Sequence, residues 1–431
     1  MARPQAEHIV VIGAGAAGLM AGRELARAGK RVTILEARDR CGGRIYPLSP
    51  SEFGYRAEGG AEYVHGEAPL THGLVREAGL GLSPVQGARW NVSQGSFGRD
   101  EMPGPDIGHF YERLAELKSD LTVIDFLARN FPGPQHDRLR HSVLRMVEGY
   151  DAADASRASM LAVRDEWTGS GRSRQARIVG GYGAMIDFLA ADCTRHGAAL
   201  HLGAAISAIE TGEADNLVRC ADGETCTADA VVLTVPLPLL GTIAFPAALR
   251  ARIDAAADIG FGNVIKLLLR FRTRWWTRAK GRDLSDLLFL ISDRSIPVWW
   301  TQHPTDQPVL TGWFAGPRTT AMAGLEEGAL VDTGLAALGD IFGYAREQLT
   351  DELVTARAID WAADPFARGA YSYATLKTRA AQSLLSGLHD GILFSGEALY
   401  QGPEMGTVEA ALASGVTAAR TILATDQIGK F

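Results

Sequence analysis

Gly13, Gly15 and Gly18 fall in a Gly-x-Gly-x-x-Gly spacing, and Glu36 stands 18 residues beyond the last of them. That pattern is chemistry for a dinucleotide. The first glycine permits a tight turn, the second lets the backbone approach a pyrophosphate, and the third lets a helix pack closely on a strand. A helix beginning there offers N–H groups and partial positive charge to phosphates. Glu36 is placed to accept hydrogen bonds from a ribose 2′-hydroxyl, which disfavours a 2′-phosphate and so favours FAD or NAD over NADP. A second candidate is Lys266, in the middle of the apolar run 264–271. Two readings stand for it: a side chain that snorkels to water at a sheet edge, or a functional amine. Six of the eight tryptophans fall between 275 and 361, and Tyr371, Tyr373 and Tyr400 follow; core and sheet packing accounts for most of these.

The glycine motif gains weight from its surroundings. The β-branched run 8–12 reads as a strand buried on both faces, 19–28 as a helix stopped by Gly29, and 31–35 as a second buried strand. A βαβ unit is thus complete within about 30 residues. Further on, 106–150 and 184–196 read as helices, and strands return from about 200 to 235. In 264–271, period-2 alternation puts Ile265, Leu267, Leu269 and Phe271 on one face and Val264, Lys266, Leu268 and Arg270 on the other. Longer strands are expected in 287–314, helices in 326–347, and a last strand at 391–394 before a helix from about 407 to 423.

Composition sets the outer limits. A chain of 431 residues suggests two or three domains. With 46% hydrophobic residues and a net charge of −7 it can bury a large core and has no reason to be disordered. The 49 glycines, about 11% of the chain against an average near 7%, point to many tight turns and close approaches to a ligand. The slight acidic excess argues against nucleic acid and gives no general attraction to anionic membranes. Cys41, Cys193, Cys220 and Cys226 form no C-x-x-C pair, so no metal site is expected and reduced thiols in a cytoplasmic protein fit best. No leader and no apolar run of about 18 residues is seen, so no membrane span is expected.

The stretch 36–44, ending Arg40-Cys41-Gly42-Gly43-Arg44, resembles the second dinucleotide motif of the flavin-containing amine oxidase family. The resemblance extends over nearly the whole chain, through 59–66, 179–183, 232–236, 393–398 and 406–411. It implies an α/β fold in which a Rossmann-like FAD-binding domain (1–85, 196–245 and 386–431) is interwoven with an α+β substrate-binding domain (86–195 and 246–385). It implies that Arg44 meets the pyrophosphate, that Gly42 and Gly43 skirt the isoalloxazine, and that Arg38 serves the adenosine side, with Arg40 read as a solvated surface charge. Gly60, Ala61 and Glu62 would lie along the flavin; Ile206 and Trp361 complete the cofactor set. Gly396, Glu397, Thr407 and Val408 would form the C-terminal flavin motif, Glu397 at the ribityl or phosphate region and the Val408 N–H facing the flavin O2.

By the same resemblance Lys266 holds a water at flavin N5, and Tyr371 presents its π face to the substrate nitrogen. His65 is similar to the active-site histidine of polyamine oxidases; Trp300, Tyr400 and Thr407 join the substrate set. For Glu62, a carboxylate facing the cavity and a structural hydrogen-bonding role stand equal. Some relatives carry a flavin-linking cysteine at the position of Ala370, so FAD is expected to be non-covalent. Thr407 stands where a second cage tyrosine aligns, as in the polyamine oxidases and lysine-specific histone demethylases. The implied reaction is amine oxidation, with hydride passing to flavin N5, imine hydrolysis to aldehyde or ketone, and reduction of O2 to H2O2. The partners would be a small amine and O2, with homodimerisation left open. Two readings compete: an L-amino-acid oxidase, for which Arg89, Arg172 or Arg318 would clamp a carboxylate, and a non-catalytic flavoprotein that binds a partner.

Overall fold

Strand β1 (His8–Ile12) is buried along almost its whole length and lies inside a six-stranded sheet. Its parallel neighbours are β2 (Arg31–Glu36) and Ala230–Leu233. Ala199–Leu202 extends the sheet beyond β2; Ile392–Phe394 extends it on the other side, with Leu388–His389 as an antiparallel edge. One face packs on helices and the other on Ile209, Val218 and Ala228 of a three-stranded antiparallel sheet (Ile206–Thr211, Asn216–Cys220, Thr225–Ala228), so the central strands are buried on both faces and read as apolar runs. The structure, a computed structural model, describes residues 7–93, 95–99, 106–169, 174–213 and 215–428.

Helix α1 (Ala16–Arg27) begins directly after the glycine turn. A Cβ on Gly18 would stand 1.9 Å from the Gly13 carbonyl oxygen, so only glycine allows this approach of helix to turn. Helix α1 packs against helices Gly181–Arg195 and Val408–Ile428. The first of these falls in the stretch that the sequence assigns to the substrate-binding part, yet Met185, Ile186 and Leu189 share a core with Leu19, Leu25 and Ile34. Likewise Leu249, Ala255 and Ile259 pack with Val10, Ile12 and Leu35.

The second layer is a seven-stranded mixed sheet, in the order Leu353–Asp360, Val264–Phe271, Val309–Ala315, Val298–Thr301, Leu287–Ser292, Ala88–Ser93, Ser96–Arg99. The alternation along 264–271 holds. Ile265, Leu267, Leu269 and Phe271 pack with Trp276, Trp299 and helix Glu327–Phe342. Val264 and Lys266, on the opposite face, line the cavity between the two layers. Lys266 is therefore not a snorkelling edge residue: it is 1% exposed. A lobe of helices (Ile107–Ala115, Val123–Asn130, Asp137–Gly149, Met160–Thr168) closes around Phe110, Phe126, Phe131 and Trp167. Among the described residues, no helix is long and apolar enough to cross a membrane, and no group of three or more His, Cys, Asp or Glu is placed to hold a metal.

Candidate active site

Every residue that the sequence marks for the site, Gly18 excepted, lines one continuous cavity of about 2580 Å³. Gly18 acts from behind, by letting α1 approach its turn.

At the end of the cavity formed by the glycine turn, the Glu36 carboxylate accepts hydrogen bonds from the backbone N–H of Ala14 (2.7 Å) and of Arg38 (2.9 Å). It thus braces the glycine turn from the end of β2. Arg38 reaches across to Asp364 at 2.5 Å. Arg40 departs from expectation. Its guanidinium lies 4.2 Å from the Tyr46 ring centroid and donates to the carbonyls of Cys41, Gly43 and Ile45. It is half-buried and staples the Gly42-Gly43 loop, so it is no solvated surface charge. Burial, and then the neighbouring Arg38, lower its pKa. Ile206 opens the strand Ile206–Thr211 at the cavity wall.

Arg44 and Glu397 are bonded to each other, at 2.7 Å, and Arg44 also donates to the Ala370 carbonyl at 2.7 Å. The hydroxyl of Ser372 donates to the other Glu397 oxygen. Both Arg44 bonds use the same nitrogen, and the side chain remains a quarter exposed to the cavity. Beside it the wall is stripped bare. A Cβ on Gly60 would stand 1.8 Å from the Arg44 carbonyl oxygen and 3.2 Å from the Trp361 ring. Thr407 caps the last helix: its hydroxyl accepts from Ala410 N–H at 3.1 Å and donates to the Glu404 carbonyl at 2.7 Å. Val408 is the first residue of that helix, where N–H groups lack intrahelical acceptors and the helix dipole is positive. Two helix N-termini, a guanidinium and a glycine-flattened wall in one elongated cavity suit an anionic dinucleotide that carries a flat ring. The residues fit a flavin.

Farther in, Lys266 Nζ donates to Glu62 at 2.9 Å and to the Gly60 carbonyl at 3.0 Å. Glu62 also accepts from Arg177 (3.0 Å), Gln302 (3.0 Å) and the indole N–H of Trp300 (3.1 Å to each oxygen). Burial works against the charge on Glu62, but Lys266 and Arg177 outweigh it and hold the carboxyl down at about 2. The two readings of Glu62 thus merge: it lines the cavity and is the hub of a hydrogen-bonded network. The Trp300 ring lies 5.3 Å from Lys266 Nζ and 5.6 Å from the Trp313 centroid.

His65 sits on the short strand Val64–His65, paired with Gln175 across the strand Gln175–Ile178. Burial lowers its pKa to about 4. Tyr371 donates its hydroxyl to the Tyr150 carbonyl at 2.6 Å, and its ring lies against Gly406, beside Thr407. Tyr400 donates to Glu404 at 3.0 Å; burial and that carboxylate push its pKa up to about 12. Of the arginines suggested as carboxylate clamps, Arg318 lies 3.3 Å from Glu148 and Arg89 stacks over Phe289 at 5.9 Å. Arg172 lies outside the described residues.

Sequence reading missed Arg177, Gln302, Gln175 and Tyr150. Gln175 and Arg177 carried a faint signal, two polar residues at strand period just before a glycine turn. Gln302 and Tyr150 carried none, because only the tertiary fold brings them to Glu62 and His65.

Comparison with known proteins agrees with this geometry. Residues 16–100 and 87–423 match the profile of a family described as flavin containing amine oxidoreductase. The chain is 27% identical over 451 residues to probable polyamine oxidase 4 of Arabidopsis thaliana, covering 96% of this chain and 86% of that protein. It is 28% identical to human lysine-specific histone demethylase 2, over 97% of this chain but 53% of that longer protein. Among solved structures, putrescine oxidase bound to putrescine superposes with a TM-score of 0.79 at 20% identity, covering 98% of this chain and 99% of that one. Cyclohexylamine oxidase from Brevibacterium oxydans IH-35A gives 0.79 at 19% identity, covering 99% and 100%. At such identities the superpositions show the shared fold.

Proposed function

The chain belongs to the flavin containing amine oxidoreductase family, and from that premise we propose that it oxidises polyamines or other primary and secondary amines with a non-covalent FAD. The observation that carries the reading is the buried Lys266–Glu62 pair set in the wall of an aromatic cavity, with Trp300, Tyr371 and His65 lining the same space. When bound, the flavin supplies the hydride acceptor and passes the electrons to O2, so that amine and O2 yield imine and H2O2.

The chain's own residues do the rest. Tyr371 and Trp300 offer apolar faces to the carbon beside the amine nitrogen and exclude water, and desolvation lowers the pKa of the bound amine so that it reacts uncharged. Lys266, fixed by Glu62 and the Gly60 carbonyl, keeps an N–H donor in the cavity wall for a water molecule, which also serves hydrolysis of the imine to aldehyde or ketone. None of the four cysteines lines the cavity, and Ala370 leaves no thiol beside Tyr371, which supports a flavin without a covalent link. FAD would be held chiefly by 1–85, 196–245 and 386–431, and the amine by the remainder. The pairing of Arg318 with Glu148 speaks against a carboxylate clamp at that arginine.

The test is peroxide output from the FAD-loaded enzyme with putrescine, spermidine, benzylamine, tyramine and a set of L-amino acids. Activity with amines is expected. Activity confined to amino acids would replace the reading, and silence with all of them would sink it. Acid precipitation tests the cofactor linkage: the yellow colour should stay in the supernatant.

A further inference from the structure

His65 Nδ1 has two neighbours that come from different elements. The Gln175 side-chain nitrogen, on the paired strand, lies 3.1 Å away, and the Tyr150 hydroxyl, just past the helix Asp137–Gly149, lies 3.2 Å away. An amide nitrogen can only donate. In the orientation the Gln175 amide takes here, with its nitrogen and not its oxygen toward the ring, Nδ1 is the bare, accepting nitrogen and the ring proton sits on Nε2. Tyr150 has a second task. Its backbone carbonyl accepts the Tyr371 hydroxyl at 2.6 Å, so this one residue touches both aromatic groups assigned to the amine site. The Tyr150 ring stands edge-on to the His65 ring, with centroids 5.8 Å apart, and lines the cavity.

We propose that Tyr150 and Gln175 are positioning residues that lock His65 as a neutral Nε2–H tautomer, so that it meets the substrate as a hydrogen-bond donor and not as a proton acceptor. The inference rests on the reading of His65 as a substrate contact, though the tautomer itself does not. The burial that holds its pKa near 4 acts in the same direction. A neutral N–H donor welcomes an acceptor: an uncharged amine nitrogen, a hydroxyl or a carbonyl. It gives no binding energy to an ammonium. His65 thus works with the desolvating cavity, favouring the amine form that has a lone pair to offer.

The experiment is long-range 1H–15N correlation on 15N-histidine-labelled, FAD-loaded enzyme, with His65 assigned by the signals lost in His65→Asn. From pH 6 to 8 the wild type should show a protonated Nε2 and a bare Nδ1. A protonated Nδ1, or an imidazolium, would overturn the proposal. Gln175→Glu replaces the donor by an acceptor and should place a proton on Nδ1, as the opposite tautomer or as imidazolium; an unchanged spectrum there would also count against it. Tyr150→Phe retains the Gln175 donor and should keep the tautomer, while KM for the best amine rises about fivefold, as one lost hydrogen bond of about 1 kcal/mol implies, and kcat stays within about twofold. An equal fall in kcat and kcat/KM would mean that Tyr150 acts in the reaction itself, against a positioning role. A wild type with the expected tautomer but no peroxide from any amine would leave the lock standing and remove the amine reading instead.

Discussion

Lys266 Nζ lies 2.9 Å from Glu62 Oε2, and both side chains are almost wholly buried. A buried ion pair survives when its other donors and acceptors find partners, and here Arg177, Gln302 and Trp300 donate to Glu62 while the Gly60 carbonyl takes a second Lys266 N–H, leaving the third for water. Glu62 therefore serves two cations, and its loss strands both. Glu62→Gln is expected to lower stability by about 3–5 kcal/mol, the usual penalty for breaking a buried pair, and to slow flavin reduction by the amine at least tenfold. Stopped-flow spectra at saturating amine measure the second effect. An unchanged reduction rate in a folded, flavin-loaded variant would remove Glu62 from the working site.

The same carboxylate predicts the acid limb of stability. Its folded pKa, about 2, lies below the ordinary value of 4.5. The stabilisation is thus fully present above pH 4.5 and is lost as pH falls towards 2. Thermal melts between pH 5 and 3 should fall more steeply for the wild type than for Glu62→Gln, which has no proton to take up at this site. Parallel slopes would show that the pair is not titrating.

Gly60 predicts a cofactor defect without a folding defect elsewhere. A methyl group there would meet the Arg44 carbonyl oxygen at 1.8 Å, and backbone cannot yield as a flexible side chain can. Arg44 and the wall carrying Lys266 and Glu62 would be pushed apart. Gly60→Ala should purify as soluble protein with flavin content reduced severalfold, read as visible absorbance per protein. Full flavin occupancy would show that the wall has slack.

The first βαβ unit was legible because its signals are local: a β-branched run, a glycine turn, a helix and an acid in close succession; β1 and β2 lie where the spacing puts them, while α1 starts earlier than the run 19–28, at Ala16 inside the glycine motif. The strand Val264–Phe271 was legible for the same reason, its alternation fixing which face carries Lys266. What alternation cannot say is whether that face meets water or another layer. Lys266 turned out buried because the segment carrying Gly60 and Glu62, and the Trp300 ring, close over it. Arg40 misled for a similar cause: its partners are carbonyls of its own loop, and carbonyls leave no mark in a sequence. Helix Gly181–Arg195 was found, yet its neighbours were not, since a helix announces its apolar face but not what that face meets.

Glu409 predicts a purely structural loss. Its carboxylate accepts from the backbone N–H groups of Leu70 and Thr71, both at 2.9 Å, and from the Thr71 hydroxyl at 2.7 Å. The first turn of the last helix thereby caps the helix Pro69–Glu77. Caps of this kind are worth about 1–2 kcal/mol. Glu409→Ala should lower the melting temperature by a few degrees while leaving the amine KM within about twofold. A large KM change with no loss of stability would reassign Glu409 to the cavity.

Glu58 predicts the opposite pH trend to Glu62. It is 6% exposed at the start of helix Gly181–Arg195, and burial pushes its carboxyl up to about 8, against the pull of Lys266 and of the Gly183 and Tyr182 backbone N–H groups. Below pH 4.5 it is protonated in both folded and unfolded chains and costs nothing. Between pH 4.5 and 8 the unfolded chain releases the proton and the folded one keeps it, so stability drains away as pH rises. Glu58→Gln carries no proton to release in either state and should erase that drain. The variant should therefore gain on the wild type steadily from pH 5 to pH 8, in melts run on the FAD-loaded enzyme. A melting-temperature difference that stays constant over this range would show that Glu58 is ionised in the folded protein, with the helix N-terminus and Lys266 prevailing over burial.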